Sequence, residues 1–283
     1  MNTRTYINPD SPLAAEFWEH GKAASCPVYD MHGHMGVWHS IYFPRAEAAE
    51  MAKSMDAAGV RLLCFAHHAS LFAPDIGNAA AVQAVRAFPD HFRAYLSVNP
   101  HYPELLSRDL AEFDSLRDVY VGLKFLADYH GVPISDDRYR GAWEFANDRG
   151  LPVLSHTWGG SPCNGASEIR KIATRYSRIK LFLGHSLNNR WSEAVDLARE
   201  FPHVYLELTS VLGRRGVLEF FCEKVGSHRL LYGTDLPWFD EHQSVGSVLA
   251  AEITEEDRHN ILHRNAEKLL EEENERRTPN VER

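Results

Sequence analysis

Short apolar runs alternate with longer amphipathic stretches along most of the chain, and this alternation defines its elements. The first run is Pro27-Val28-Tyr29-Asp30-Met31-His32. A helix-like stretch over 45–58 then precedes an extended run over 60–66 that ends at His67. The unit recurs as 76–88 before 93–98, ending at Asn99, and as 103–116 before 119–126. It continues as 138–149 before 151–155, ending at His156, and as 166–176 before 179–184, ending at His185. The last two are 191–201 before 204–208, and 216–225 before 229–233, ending at Thr234-Asp235. Helical patterns over 243–251 and 254–273 close the chain.

Short strand-like runs separated by helix-like stretches predict parallel βαβ units. Eight of them predict an α/β fold of the closed (β/α)8, TIM-like barrel type, because closure leaves no strand edge exposed. A doubly wound open sheet is the alternative, but no glycine-rich G-x-G-x-x-G or G-x-x-x-x-G-K-[ST] loop favours it. The pattern divides the chain into a lead-in over 1–25 broken by Pro9 and Pro12, one barrel domain over 26–271, and a charged, partly disordered tail over 272–283.

In such a barrel alternate side chains point inward, and chemistry collects where strands end at their C-terminal side. Parity puts Val28, Asp30, His32 and His34 on one face of the first strand, Leu154 with His156 on the fifth, and Leu181 and Leu183 with His185 on the sixth. On the eighth, Leu231 and Gly233 share a face with Asp235. Two histidines two residues apart, a distant histidine and a carboxylate are a nitrogen/oxygen set for zinc or a similar divalent ion. Asp235 beside the ion is placed to take a proton from bound water, and His185 to act as a second acid/base group or electrostatic stabiliser.

Composition narrows the partners. The chain has 30 basic and 39 acidic residues in 283, a net charge of -9, which argues against nucleic acid or an anionic membrane surface. No run approaches the roughly 18 apolar residues of a membrane span, and 1–25 holds no signal-peptide core. Cys26, Cys64, Cys163 and Cys222 are far apart, as expected of reduced, packed thiols in a cytoplasmic protein.

The set DMHGH, LPVLSHTWG, LFLGHS and LLYGTDLPW resembles the amidohydrolase superfamily, in its amidohydrolase-2, aminocarboxymuconate-semialdehyde decarboxylase-like branch. The closing stretch Asn260-Ile261-Leu262-His263-Arg264-Asn265-Ala266 is similar to that branch's end signature. The resemblance implies a metal-dependent distorted barrel of the hydrolase type. His32, His34 and His156 then stand as metal ligands, Asp235 as ligand and proton carrier, and His185 as acid/base or ligand of a second metal. One zinc ion is expected rather than two, and a homodimer is the expected assembly by family analogy.

Lys124 points inward on the fourth strand together with Tyr120 and Gly122, leaving Val119, Val121, Leu123 and Phe125 for the outside. It is open to four readings: a carboxylated lysine bridging two metals, a neutral amine, a partner for substrate carboxylate, or an uninvolved ion pair. On the seventh strand Tyr205, Glu207 and Thr209 turn inward, and Glu207 either orients a metal-bound histidine or makes a buried ion pair. Trp38, Trp158, Trp238 and His130 lie in loops after strands, where they either cover substrate or pack the loops. Arg190 is a candidate grip for an anionic group, and His67 and His68 are candidates at the second strand's end. The expected reaction is hydrolysis of an ester, lactone or amide in a small, carboxylate-bearing substrate by metal-activated water. The alternatives are nonoxidative decarboxylation of an aromatic or unsaturated acid, and a non-catalytic barrel that binds metal or ligand.

Overall fold

In the computed structural model, which describes Asn8 and residues 10–277, the eight extended runs become eight strands. They are β1 Val28–Met35, β2 Val60–His67, β3 Phe92–Val98, β4 Tyr120–Phe125, β5 Pro152–Trp158, β6 Lys180–Asn188, β7 Val204–Glu207 and β8 Leu230–Leu231. Each pairs in parallel with the next in sequence order, so the sheet curls into a (β/α)8 barrel. The ring closes through backbone bonds beyond β8: Met31 N to Tyr232 O at 2.9 Å, and Asp235 N to His32 O at 2.7 Å. Gly59 and Gly150 end the helices before β2 and β5 in left-handed conformation, φ 79° and 65°, where a side chain would be strained.

Two apolar layers hold the barrel. Outside the strands, residues such as Val28, Leu63, Leu123, Leu181 and Leu206 pack against the helices. Inside, Met31, Cys64, Tyr95, Val121, Leu154, Phe182 and Leu231 fill the lower lumen. Ala266 and Leu269 of the final helix plug that lumen from below.

The inner layer corrects the parity reading at three strands. A register shift between Asp30 and Gly33 gives β1 one extra residue against β2, so Met31 fills the inner layer while Val28 joins the outer core. A shift opposite Ala94 and Tyr95 does the same to β4, sending Val121 in and Tyr120 out. On β6 it is Phe182 that lies inside, and Leu181 and Leu183 lie outside. On β5, β7 and β8 the expected faces hold: Leu154, Tyr205 and Leu231 line the lumen.

A helix over Pro12–His20 occupies the lead-in, capped by Ser11. The final helix runs Asn265–Arg277, so the expected tail is helical as far as Arg277. Pro9, the remainder of the lead-in before Asn8 and the tail beyond Arg277 lie outside the described residues. Among the described residues no helix is long and apolar enough to cross a membrane.

Trp143 anchors the outer layer: its ring stacks on Phe125 at 4.0 Å and its Nε1 donates to Ile134 O at 3.0 Å. Trp143→Ala should cost about 3–5 kcal/mol of stability. The midpoint of urea unfolding, at unchanged slope, reads that loss.

Candidate metal centre

The mouth of the barrel gathers its polar groups by three different local devices. The extra residue in β1 turns His32 inward one level above Met31, and His34 follows two residues later. Asp30, which parity grouped with them, instead braces β1 to the β8 turn: its buried carboxylate accepts from Thr234 Oγ1, Thr234 N and His32 N. His185 reaches the mouth from the wrong parity because His185, Ser186 and Leu187 are left-handed, with φ 65°, 46° and 52°. Thr157 holds that turn, donating to Gly184 O at 2.7 Å and accepting from Leu187 N at 3.0 Å. Asp235, also left-handed at φ 66°, is fixed by its own backbone bond to His32.

The side chains then converge. Asp235 Oδ1 lies 3.4 Å from His32 Nε2 and 3.2 Å from His34 Nε2. His156 Nδ1 lies 3.0 Å from His185 Nε2. Donor atoms of His32, His185 and Asp235 fall within 4.8 Å of one another.

Neighbours set the tautomers. His32 Nδ1 donates to Glu207 Oε2 at 2.7 Å, and His34 Nδ1 donates to the Ala66 carbonyl at 3.2 Å, so both rings present an Nε2 lone pair to Asp235. Burial holds the His32 and His156 imidazoles well below the ordinary histidine range. It brings His185 to about 4. Burial alone would raise Asp235, but the surrounding His34, His32 and His185 rings hold it well below the carboxylate range. Asp235 Oδ1 is buried without an aligned hydrogen-bond donor. Neutral imidazole lone pairs facing an orphaned carboxylate oxygen are a donor set for a divalent cation, and these residues fit one.

Glu207 is the hub beneath them. Its Oε2 also accepts from His185 N at 3.1 Å, and its Oε1 accepts from Thr209 N at 2.7 Å and Thr209 Oγ1 at 2.6 Å. Burial pushes its carboxyl up. Small residues make room: a Cβ on Gly233 would lie 2.0 Å from Glu207 Oε1, and one on Gly184 would lie 3.1 Å from the His32 ring. Lys124 is fully buried, with Nζ 2.6 Å from His32 Nε2. It aims at the same lone pair as a metal would, and burial lowers its amine to about 8.

Above the polar floor lies a cavity of about 190 Å³ walled by Trp38, Leu71, Tyr129, Trp158, Trp238 and Phe239. Trp38, Trp158 and Trp238 all line it, Trp158 as the last residue of β5 rather than from the loop beyond. His68 joins them: its ring stacks on His34 at 4.9 Å, and its Nε2 accepts from Trp238 Nε1 at 3.0 Å. Arg190 is exposed and outside the cavity, at the start of the helix after β6. His130 is also outside it, its Nε2 donating to Leu71 O and its Nδ1 accepting from Tyr139. Tyr129 and Ser210 line the cavity without having been singled out. Their only signal was position in loops following strands.

An amidohydrolase family model matches residues 29–271. No curated protein matches the chain significantly. Several solved structures share the fold. A 2,6-dihydroxybenzoate decarboxylase from Rhizobium is 17% identical, with TM-score 0.69 over 87% of this chain and 99% of its own. An uncharacterized TIM-barrel protein from Bordetella bronchiseptica is 17% identical, with TM-score 0.73 over 88% and 99%. A dihydroxybenzoic acid decarboxylase from Polaromonas sp. JS666, with bound manganese and the inhibitor 2-nitroresorcinol, is 18% identical, with TM-score 0.66 over 87% and 97%.

Glu207→Gln, which keeps shape but loses charge, should weaken divalent-ion binding about 10- to 100-fold. Competition with a metal-indicator dye measures it; unchanged affinity would remove Glu207 from the role described. His130 gives a pH prediction. Burial lowers it from 6.5 to about 4; the hydrogen bond to the Leu71 carbonyl opposes this and His101 adds a smaller push in the same direction. The unfolded chain takes up a proton in that window and the folded chain does not, so stability falls as pH drops from 6.5 towards 4. In His130→Gln the unfolding midpoint should vary less with pH than in the wild type.

Proposed function

The chain belongs to the amidohydrolase family, and on that premise we propose that it is a metal-dependent carboxy-lyase, releasing CO2 nonoxidatively from an aromatic or unsaturated carboxylic acid. The observation that carries this reading is the contrast between cavity walls and floor. The walls are aromatic and hold no lysine or arginine, whereas the floor is a convergent histidine/aspartate set. A planar acid finds stacking faces on all sides and one place to be held by its carboxylate. The decarboxylase names carried by proteins of the same fold support this choice, and the manganese in one of them supports a divalent ion. The hydrolysis expected from the sequence would use the same donors, but neither the aromatic walls nor those names support it as well.

His32, His34 and Asp235 would hold the ion, with His156 and His185 as the remaining donors at its edge. Bound there, a divalent ion would supply Lewis acidity toward an anionic substrate. Trp158, Trp238 and Trp38 orient the ring and exclude water. Glu207 keeps His32 in the tautomer that faces inward. Asp235 takes the proton that an acidic substrate brings and returns it to the carbon from which CO2 departs, while neutral His185 stabilises the charge that develops beside it. Lys124, beneath His32, adjusts the electrostatics of the floor rather than touching the ring.

Assays over aromatic carboxylic acids and lactones in D2O and H2¹⁸O test the reading. CO2 release with deuterium at the vacated carbon and no ¹⁸O in the product is expected. Incorporation of ¹⁸O without CO2 would overturn it in favour of hydrolysis. Asp235→Asn should lower kcat about 10²- to 10⁴-fold, the range of a lost proton carrier.

A further inference from the structure

A second cluster of metal-binding side chains lies on the opposite face of the barrel. Cys26 sits two residues before β1, at the N-terminal end of the strands. His259 and His263 belong to the turn of helix, Glu255–Arg264, that packs under β1 and β8 and leads into the plugging helix. Donor atoms of Cys26, His259 and His263 all fall within 4.8 Å of one another.

We propose that Cys26, His259 and His263 form a structural site for a zinc-class divalent ion, separate from the catalytic mouth. Three independent observations carry it. His263 Nδ1 donates to Glu267 Oε2 at 2.9 Å, which fixes its tautomer and directs the Nε2 lone pair into the cluster. This carboxylate–histidine arrangement is the one that orients zinc-bound imidazoles. The spacing is also right. His259 Nδ1 and His263 Nε2 are 3.0 Å apart, and two nitrogens on a tetrahedral zinc are separated by about 3.3 Å. Finally, the charges acting on the thiol are Glu267, Glu255 and Glu16 against Arg264, a field that favours a cation.

The Cys26 side chain is buried, and among the described residues its hydrogen-bond partner is the Pro27 carbonyl, a weak one at 3.7 Å. Burial first, and the nearby carboxylates second, push the thiol up to about 12, so without a cation it stays protonated. Ion binding releases that proton to solvent. The hydrogen on His259 Nδ1 moves to its Nε2, and both imidazoles remain neutral. Water completes the coordination. Such an ion ties the segment before the first strand to the helix that seals the barrel floor, and its contribution is to stability rather than turnover. Cys26 is a packed free thiol, as expected, and the proposed ion would give it a second role.

Cobalt titration of the metal-stripped full-length protein tests the site. The catalytic donors are nitrogen and oxygen, so a thiolate-to-cobalt absorption in the near ultraviolet reports only on a sulfur site. That band is expected to appear, to be discharged by Zn2+, and to be missing in Cys26→Ala. His259→Gln should abolish it as well, which keeps the test decisive if Cys26→Ala fails to fold. Glu267→Gln should weaken the underlying affinity about 10-fold or more. Metal-loaded Cys26→Ala should turn over substrate at the wild-type rate while unfolding at lower temperature. Absence of the band in the wild type, or its persistence in Cys26→Ala, would overturn the proposal.

Discussion

A buried carboxylate with no freedom to move organises the mouth of this barrel. Glu207 accepts from the His32 ring, the His185 amide, the Thr209 amide and the Thr209 hydroxyl. A desolvated anion is tolerable only when such donors replace water, and here they come from three different strand ends. Satisfying Glu207 therefore aligns β1, β6 and β7 at one level. It also decides which nitrogen His32 offers inward, so the chemistry at the floor follows from an electrostatic requirement of folding.

Lys124 shows the same economy of charge. Its nearest partner is an imidazole nitrogen rather than a carboxylate. An ammonium there is disfavoured by burial, although Asp235 and Glu207 pull the other way. The histidines around it are kept neutral by burial. The floor therefore holds few positive charges of its own beside two carboxylates, the condition in which an added dication is most strongly bound.

Much of this architecture was legible in the chain. Eight apolar runs separated by amphipathic stretches were enough for the barrel, and the polar residue closing each of four runs was enough to find the mouth. Inward faces on β5, β7 and β8 followed from simple alternation, because those strands pair without interruption where it mattered. Alternation failed on β1 and β4 because one extra residue on a strand reverses every side chain beyond it, and nothing in DMHGH or VYVGLKF marks where that residue sits. It failed on β6 for another reason: the left-handed run at His185 to Leu187 is held by Thr157 from the neighbouring strand, a contact far away in sequence. Arg190 looked like an anion grip because it follows His185 closely, but the same turn carries it onto the rim. The Cys26 cluster was invisible for a related reason, since its members come from opposite ends of the chain.

Gly184 and Gly233 carry a consequence for how this protein can change over generations. At either position the smallest possible side chain would intrude on the His32 ring or on Glu207 itself. At Gly233 a single methyl group would strike the hub itself, whereas at Gly184 the His32 ring and the Ser155 carbonyl would have to give way. The walls of the cavity carry no such restriction, since Trp158 and Phe239 are partly exposed. Inheritance is thus rigid at the floor and permissive at the rim, and descendants of this chain can change what they accept much more easily than what they do to it.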